Sequence, residues 1–421
     1  MHQKDLIGRA QHVLPAGGFG NFDPGIIIRE GKGSRVWDED GNEYIDLLIG
    51  SGPMVLGHGH PEVVEAVGEQ LARGMTFFAN NARGIELAEA ICDAVACAEQ
   101  VRFVSTGSEA DMYAMRLARA ATGRDKIMKF EGGYHGMSAE AQMSLAPERL
   151  VNFPVAVPDS GGIPDSLRDE MLVAPYNDIE FAHSLIAERA DEIAGVIVEP
   201  LQRIIPPAPG FLQALRDECT KHGIVLIFDE VVTGFRFAYG GAQELYGITP
   251  DVCTLGKVIG GGFPLAAIAG KADVMACFDK EKASENGFMM QIGTLSGNPV
   301  AAVAGLKTLE ILRRPGQYEK LFATGEAIMA SVAKHLDAAG QAHQILGHAS
   351  MFDFLFMDGP VNNYRDVKRG DATKYAAFNG VLRQQGIFKS PGKTYMSLAL
   401  DDDDLAQIDA AVAAAAASVP H

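Results

Sequence analysis

Two residues at the ends of neighbouring apolar runs carry the strongest chemical signal in this sequence. Ile224–Phe228 is an unbroken apolar run that delivers Asp229-Glu230, and Val252–Leu255 delivers Gly256-Lys257-Val258-Ile259-Gly260-Gly261-Gly262. Open α/β sheets bind ligands outside the carboxyl ends of their strands, so an acid and an amine placed there face one crevice. Asp229 taken alone also reads as a cap for the segment that follows, and most lysines are simply solvated. Lys257 differs in lying between a buried run and a glycine cluster that removes bulk around it. A desolvated lysine loses its proton more readily and can act as nucleophile, then as proton carrier. An amine and a carboxylate at opposite ends of one aromatic ring are what pyridoxal 5'-phosphate (PLP) requires. The lysine takes the aldehyde, and the acid keeps the ring nitrogen protonated so that the ring can accept electrons.

Such a cofactor also needs a phosphate cradle. Ser105-Thr106-Gly107-Ser108-Glu109 follows the run Val101–Val104 and opens a helical pattern. Backbone N–H groups at a helix start, with hydroxyls beside them, bind a dianion well. Ser and Thr caps are common, so an ordinary cap stays open as a reading. Gly132-Gly133-Tyr134-His135-Gly136 follows the run ending at Phe130. It offers an aromatic that could stack on the cofactor ring, or a plain turn. Competing motifs are weaker. No G-x-G-x-x-G follows a strand and opens a helix, and G-x-x-x-x-G-K-[ST] is absent. His58-Gly59-His60 comes without a third ligand, so no metal is expected.

These residues need a scaffold. The runs Val101–Ser105, Lys126–Phe130, Ala194–Val198, Ile224–Phe228, Val252–Leu255 and Leu265–Ala269 are too continuously apolar for strands with one wet face. They suit a mostly parallel sheet covered on both faces by the helices between them, so the class is α/β. Ala114, Leu117, Ala118 and Ala121 line one face of the helix after Ser108. Arg35–Trp37 and Tyr44–Leu47, around Asp40-Gly41, read as a hairpin. Asn298-Pro299 reads as a cap and first residue of a helix, and the acidic run Asp401–Asp404 as the start of the last one.

A chain of 421 residues with 47% hydrophobic content can bury a large core, and a net charge of −18 disfavours nucleic acid and anionic membranes. The first residues lack an apolar signal-peptide core, and no uncharged apolar stretch is long enough to span a bilayer. Five cysteines without a CxxC pair read as buried, reduced thiols, which points to the cytoplasm.

The chain resembles the class III aminotransferases of PLP fold type I, above all the branch containing glutamate-1-semialdehyde 2,1-aminomutase. The resemblance covers nearly the whole chain. It rests on Gly52–Pro61, Ser105–Met112, Arg116–Phe130, Phe130–Gly136, Asp229–Arg236, Gly256–Gly262 and Gly293–Pro299. It implies a large domain over residues 56–300 with a mostly parallel central sheet flanked by helices. A smaller α+β domain is expected from an N-terminal segment, 1–55, and a C-terminal part, 301–421. It further implies that Lys257 is the Schiff-base lysine and Asp229 the partner of the ring nitrogen. Val231 and Tyr134 would lie on the two ring faces, and Thr106, Gly107 and Ser108 would hold the phosphate. Thr294 would reach the phosphate of a neighbouring subunit, making a homodimer with shared active sites. Glu199 matches a family glutamate near the cofactor.

Departures from the aminomutase pattern concern the substrate. Leu14-Pro15-Ala16-Gly17-Gly18-Phe19 has glycine where that branch carries a carboxylate-binding arginine. Ser390–Ser397 is shortened, losing an acid and gaining Lys393, and Gly50-Ser51 replaces a Ser-Trp pair, which enlarges the pocket at Ser51. These changes point away from glutamate semialdehyde. They favour a transaminase that takes an amine, ω-amino or β-amino acid donor and an oxo-acid acceptor in a ping-pong cycle. An aminomutase or racemase on the same scaffold is the alternative. Lys393 or Arg83 would hold a carboxylate, and Phe19, Phe77 and Phe78 would line a donor pocket or pack in the core.

Overall fold

The computed structural model describes residues 2–284 and 287–420. The chain divides into two compact units: Glu65–Pro315 with Pro360–Arg369, and Met1–Val64 with Gly316–Gly359 and Gly370–His421. The divisions at 64/65 and 315/316 differ from the expected 55/56 and 300/301. The helix Pro299–Leu312, opened by Asn298 capping the Ala301 N–H, packs on the helix Ala82–Ala94 and so belongs to the larger unit. Residues 360–369 also belong there, because Arg365 pairs with the buried Glu131 at 2.7 Å.

The larger unit is built on seven strands: β1 (Gln100–Val104), β2 (Lys126–Phe130), β3 (Met171–Ala174), β4 (Ile193–Val198), β5 (Val225–Glu230), β6 (Val252–Leu255) and β7 (Ala266–Gly270). Their spatial order is β1-β7-β6-β5-β4-β2-β3. β7 runs antiparallel to both neighbours, and every other pair is parallel. Strands β3 to β7 are buried at every position, as their unbroken apolar runs require when helices cover both faces. The helix Gly107–Thr122 lies across β4, β6 and β7 on a face that includes Ala110, Ala114, Leu117 and Ala118. Ala121, expected on that face, is exposed.

In the smaller unit, Arg35–Asp38 pairs antiparallel with Glu43–Asp46, with Val36 opposite Tyr44, and Ile28–Lys32 adds a third strand. The last helix, Asp402–Ser418, is opened by a capping box in which Asp401 and Asp404 satisfy each other's backbone N–H. No helix among the described residues is long and apolar enough to cross a membrane.

Candidate active site

Strand alternation sends Asp229 and Glu230 to opposite faces of β5. Glu230 is structural. Its carboxylate accepts from the Ala242 N–H, the Gln243 amide and the Thr233 hydroxyl, closing the turn into the helix Gly241–Tyr246. Asp229 is also buried, and lies in register with Thr254 on β6. Its Oδ2 is 2.8 Å from His135 Nδ1, and its Oδ1 accepts from the Val231 N–H at 3.1 Å. A carboxylate only accepts, so His135 carries its hydrogen on Nδ1. His135 Nε2 is then buried without a partner among the described residues.

A second acid, Asp111, stands behind this one. The Thr254 hydroxyl is 2.6 Å from Asp111 Oδ1 and 3.4 Å from Asp229 Oδ1. Burial, and next the charge of Asp229, push the Asp111 carboxyl well above the usual carboxylate range, while Lys257 opposes the rise. Two carboxylates this close in a buried site disfavour each other's ionisation, which is the direction of the rise at Asp111. Sequence reading missed Asp111 and His135. Asp111 had a signal: it lies three residues before Ala114 and seven before Ala118, so helical spacing puts this acid on the apolar face.

Lys257 opens the 3-10 turn Lys257–Gly260 directly after β6, with φ +46°. A left-handed backbone costs a non-glycine residue about 1–2 kcal/mol, and such residues gather at functional sites. Val231, two residues past Asp229, locks the strand ends together. A Cβ built on Gly107 would meet Val231 Cγ1 at 2.9 Å, and one on Gly256 would meet it at 3.1 Å. The cradle turn, the Asp229 strand and the Lys257 strand thus converge on one valine.

Thr106 caps the helix Gly107–Thr122 in a capping box with Glu109. Glu109 Oε2 accepts from the Ser105 and Thr106 N–H groups at 2.9 Å each. The Gly107 and Ser108 N–H groups are left without partners among the described residues. Ser108 Oγ accepts from the Met137 N–H at 3.2 Å, and Gly136, at φ +87°, lies so close that a Cβ would stand 2.5 Å from Ser108 Cα. The loop Glu131–Gly136 is thereby laid against the cradle. Tyr134 is half-buried there, and its N–H donates to Glu199 Oε2 at 2.9 Å.

Thr294 is exposed, and its carbonyl accepts from the Thr76 hydroxyl at 3.4 Å. Phe77 and Phe78 are exposed rather than packed in a core, and Arg83 is engaged by Glu86 at 2.7 Å. Ser51, Lys393 and the exposed Phe19 belong to the smaller unit. Ser51 follows Ile49 and Gly50 in a turn with positive φ at all three, and Lys393 closes a tight bridge with Ser390. His58 there is bonded to Asp46 at 2.6 Å.

The family model for class III aminotransferases matches residues 20–410. The chain is 41% identical over 413 residues to glutamate-1-semialdehyde 2,1-aminomutase 2 of Brevibacillus brevis, covering 95% of this chain and 94% of the relative. Among solved structures it resembles an omega-transaminase from Sphaerobacter thermophilus, with TM-score 0.92 and 35% identity over 99% of this chain and 97% of the other. It also resembles a beta-phenylalanine aminotransferase from Variovorax paradoxus, with TM-score 0.84 and 32% identity over 98% and 93%.

Proposed function

The chain belongs to the class III aminotransferases, and from that premise we propose that it moves an amino group from an amine, ω-amino or β-amino acid donor to an oxo-acid by a ping-pong mechanism. The family's cofactor, PLP, fits the residues present. A buried carboxylate at the end of β5, Asp229, suits a protonated ring nitrogen. Two unpartnered N–H groups at Gly107 and Ser108 suit a phosphate. When bound, PLP supplies an electrophilic carbon for amines and a ring that withdraws electrons.

The residues divide the work. Asp229, held by His135 and the Val231 N–H, keeps a proton on the ring nitrogen. Asp111, whose carboxyl burial pushes well above the usual range, stands behind Asp229 through Thr254. Lys257 Nζ takes the proton from the amine-bearing carbon of the donor, and the acceptor half-cycle runs the transfer in reverse. Val231 and Tyr134 cover the two ring faces. Thr106, Gly107 and Ser108 hold the phosphate, the threonine through its backbone position because its hydroxyl serves the cap. The observation that carries this reading is the close approach of Gly107 and of Gly256, the residue before Lys257, to Val231, two residues past Asp229.

The proposed assembly is a homodimer in which Thr294 serves the neighbouring site. Its surroundings favour contact: Met75, Phe78, Met290 and Ile292 are each more than 60% exposed, and Phe78 and Ile292 line one groove beside Thr294. The five unpaired cysteines fit a reducing cytoplasm. The expectation that Ser51 and Lys393 meet the substrate rests on the family resemblance.

The test is a panel of amines against pyruvate and 2-oxoglutarate, following bleaching of the cofactor band. Lys257→Ala should end donor-driven bleaching and borohydride-fixable cofactor, and a variant that retained both would refute the assignment. The aminomutase-named relative favours a second reading, internal transfer within one substrate. Turnover without any added acceptor would select that reading.

A further inference from the structure

Strand β4 ends in Glu199-Pro200, and the chain then turns through Leu201-Gln202-Arg203-Ile204-Ile205. Gln202 and Ile205 exchange both backbone hydrogen bonds, at 3.0 and 2.8 Å, leaving Arg203 and Ile204 as the two residues of a tight turn. Arg203 has φ +60°. Turns of this kind favour glycine or asparagine there. The turn is nevertheless fixed firmly: Leu201, Gln202, Ile204 and Ile205 are buried, and the Gln202 amide donates to the Glu131 carbonyl at 2.9 Å. Arg203 alone of the five is exposed.

Its guanidinium carbon lies 5.2 Å from the centroid of the Tyr134 ring. Tyr134 is itself fixed through its N–H to Glu199, four residues before Arg203. No hydrogen bond or ion pair to Arg203 exists among the described residues. A rigid turn therefore accepts backbone strain to hold an unpaired guanidinium over the aromatic of the site. The phosphate cradle, at the start of the helix Gly107–Thr122, uses backbone N–H groups and has no need of this cation.

We propose that Arg203 is a specificity-determining residue that binds the carboxylate of the amino donor. The donor class is then β- or ω-amino acids in preference to plain amines. A guanidinium presents two parallel N–H groups to a carboxylate, which fixes orientation as well as charge. The assignment rests on the transaminase reading above, and its test is separable from that reading.

3-Amino-3-phenylpropanoate and 1-phenylethylamine differ only by a carboxylate. Donor half-reactions of the holoenzyme with each give a ratio of apparent affinities. Arg203→Gly removes the side chain and suits φ +60°, so the turn should survive. The ratio should fall on the order of tenfold to a hundredfold, the range for losing a charge-assisted contact, and Arg203→Lys should recover part of it. Calorimetry with 3-phenylpropanoate, which has no amine and cannot react, should show a matching loss of affinity. An unchanged ratio and unchanged 3-phenylpropanoate binding overturn the proposal, as does an equal loss for both donors. A wild-type enzyme that no amine bleaches refutes the transaminase reading instead, while 3-phenylpropanoate binding still tests Arg203.

Discussion

Asp229→Asn probes the centre of the mechanism with the smallest change of shape. The carboxylate accepts from two donors, the buried His135 Nδ1 at 2.8 Å and the part-buried Val231 N–H at 3.1 Å. Asparagine offers one acceptor oxygen and an NH2 group. If its oxygen keeps Val231, its NH2 faces His135 Nδ1, and the imidazole must shift its hydrogen to Nε2, which is buried and unpartnered. If it keeps His135, the Val231 N–H is lost. Either way one polar group is stranded, at about 1–3 kcal/mol of stability. The catalytic loss is larger. Removing one member of a buried charge pair typically costs about 3–5 kcal/mol, roughly a hundredfold to several thousandfold in rate at about 1.4 kcal/mol per tenfold. Asp111 is not placed to substitute, because it lies on the far side of the Thr254 hydroxyl, 2.6 Å from it. The assay is stopped-flow bleaching of the cofactor band by saturating donor, with cofactor content measured in parallel. A first-order rate constant within about threefold of wild type, at equal cofactor content, would remove Asp229 from the mechanism.

Two further outcomes are expected. Gly136→Ala sets a Cβ 2.5 Å from Ser108 Cα at a left-handed backbone position. The combined strain of about 2–4 kcal/mol should drive loop and cradle apart and weaken cofactor binding at least tenfold, read by titrating apoenzyme with PLP; an unchanged affinity would detach this contact from the cradle. Lys129, fully buried on β2 with Nζ donating to the Ala141 carbonyl at 2.7 Å, has its ammonium pulled down from 10.5 to about 7 by burial. Above pH 7 the folded state has released a proton that the unfolded chain keeps up to about pH 10.5, so this group's contribution to stability rises with pH across that window and is lost as pH falls to 7. The urea stability of wild type minus that of Lys129→Met should therefore climb by up to about 1.4 kcal/mol per pH unit above neutrality, and a flat difference would mean that Lys129 stays charged.

What the sequence disclosed and what it withheld divide along a physical line. Six of the seven strands of the large sheet are legible as mostly apolar runs; four of them, β4 to β7, are buried at every position and so carry no polar alternation to confuse the reading, whereas Gln100–Val104 is buried only at Val104. Met171–Ala174 escaped notice as a four-residue edge strand with a glycine- and proline-rich stretch just before it. The reversed direction of Ala266–Gly270 was not legible either, since an apolar run carries no sense of polarity. Asp229 and Lys257 were visible because each ends a run. The His135–Asp229 contact spans 94 residues of sequence, and no local pattern encodes it.

The same line explains why specificity is harder to read than chemistry. Electron withdrawal by a ring needs one acid, one amine and one anion cradle, and each leaves a local mark: a strand end, a glycine cluster, a helix cap. Substrate choice depends on where a few exposed side chains are aimed, and exposure erases periodicity. Arg203 shows the exception. Its position is legible only after the backbone is known, because the informative feature is neither its charge nor its neighbours in sequence. It is the positive φ of a residue that a relaxed turn would replace with glycine. Lys257 carries the same mark, at φ +46°. Both are long cations held in left-handed backbone within two residues of a β5-flanking strand or its turn, and both point to the same conclusion: rigid, buried flanks can sustain local strain where the aim of a charged side chain matters more than the comfort of its backbone.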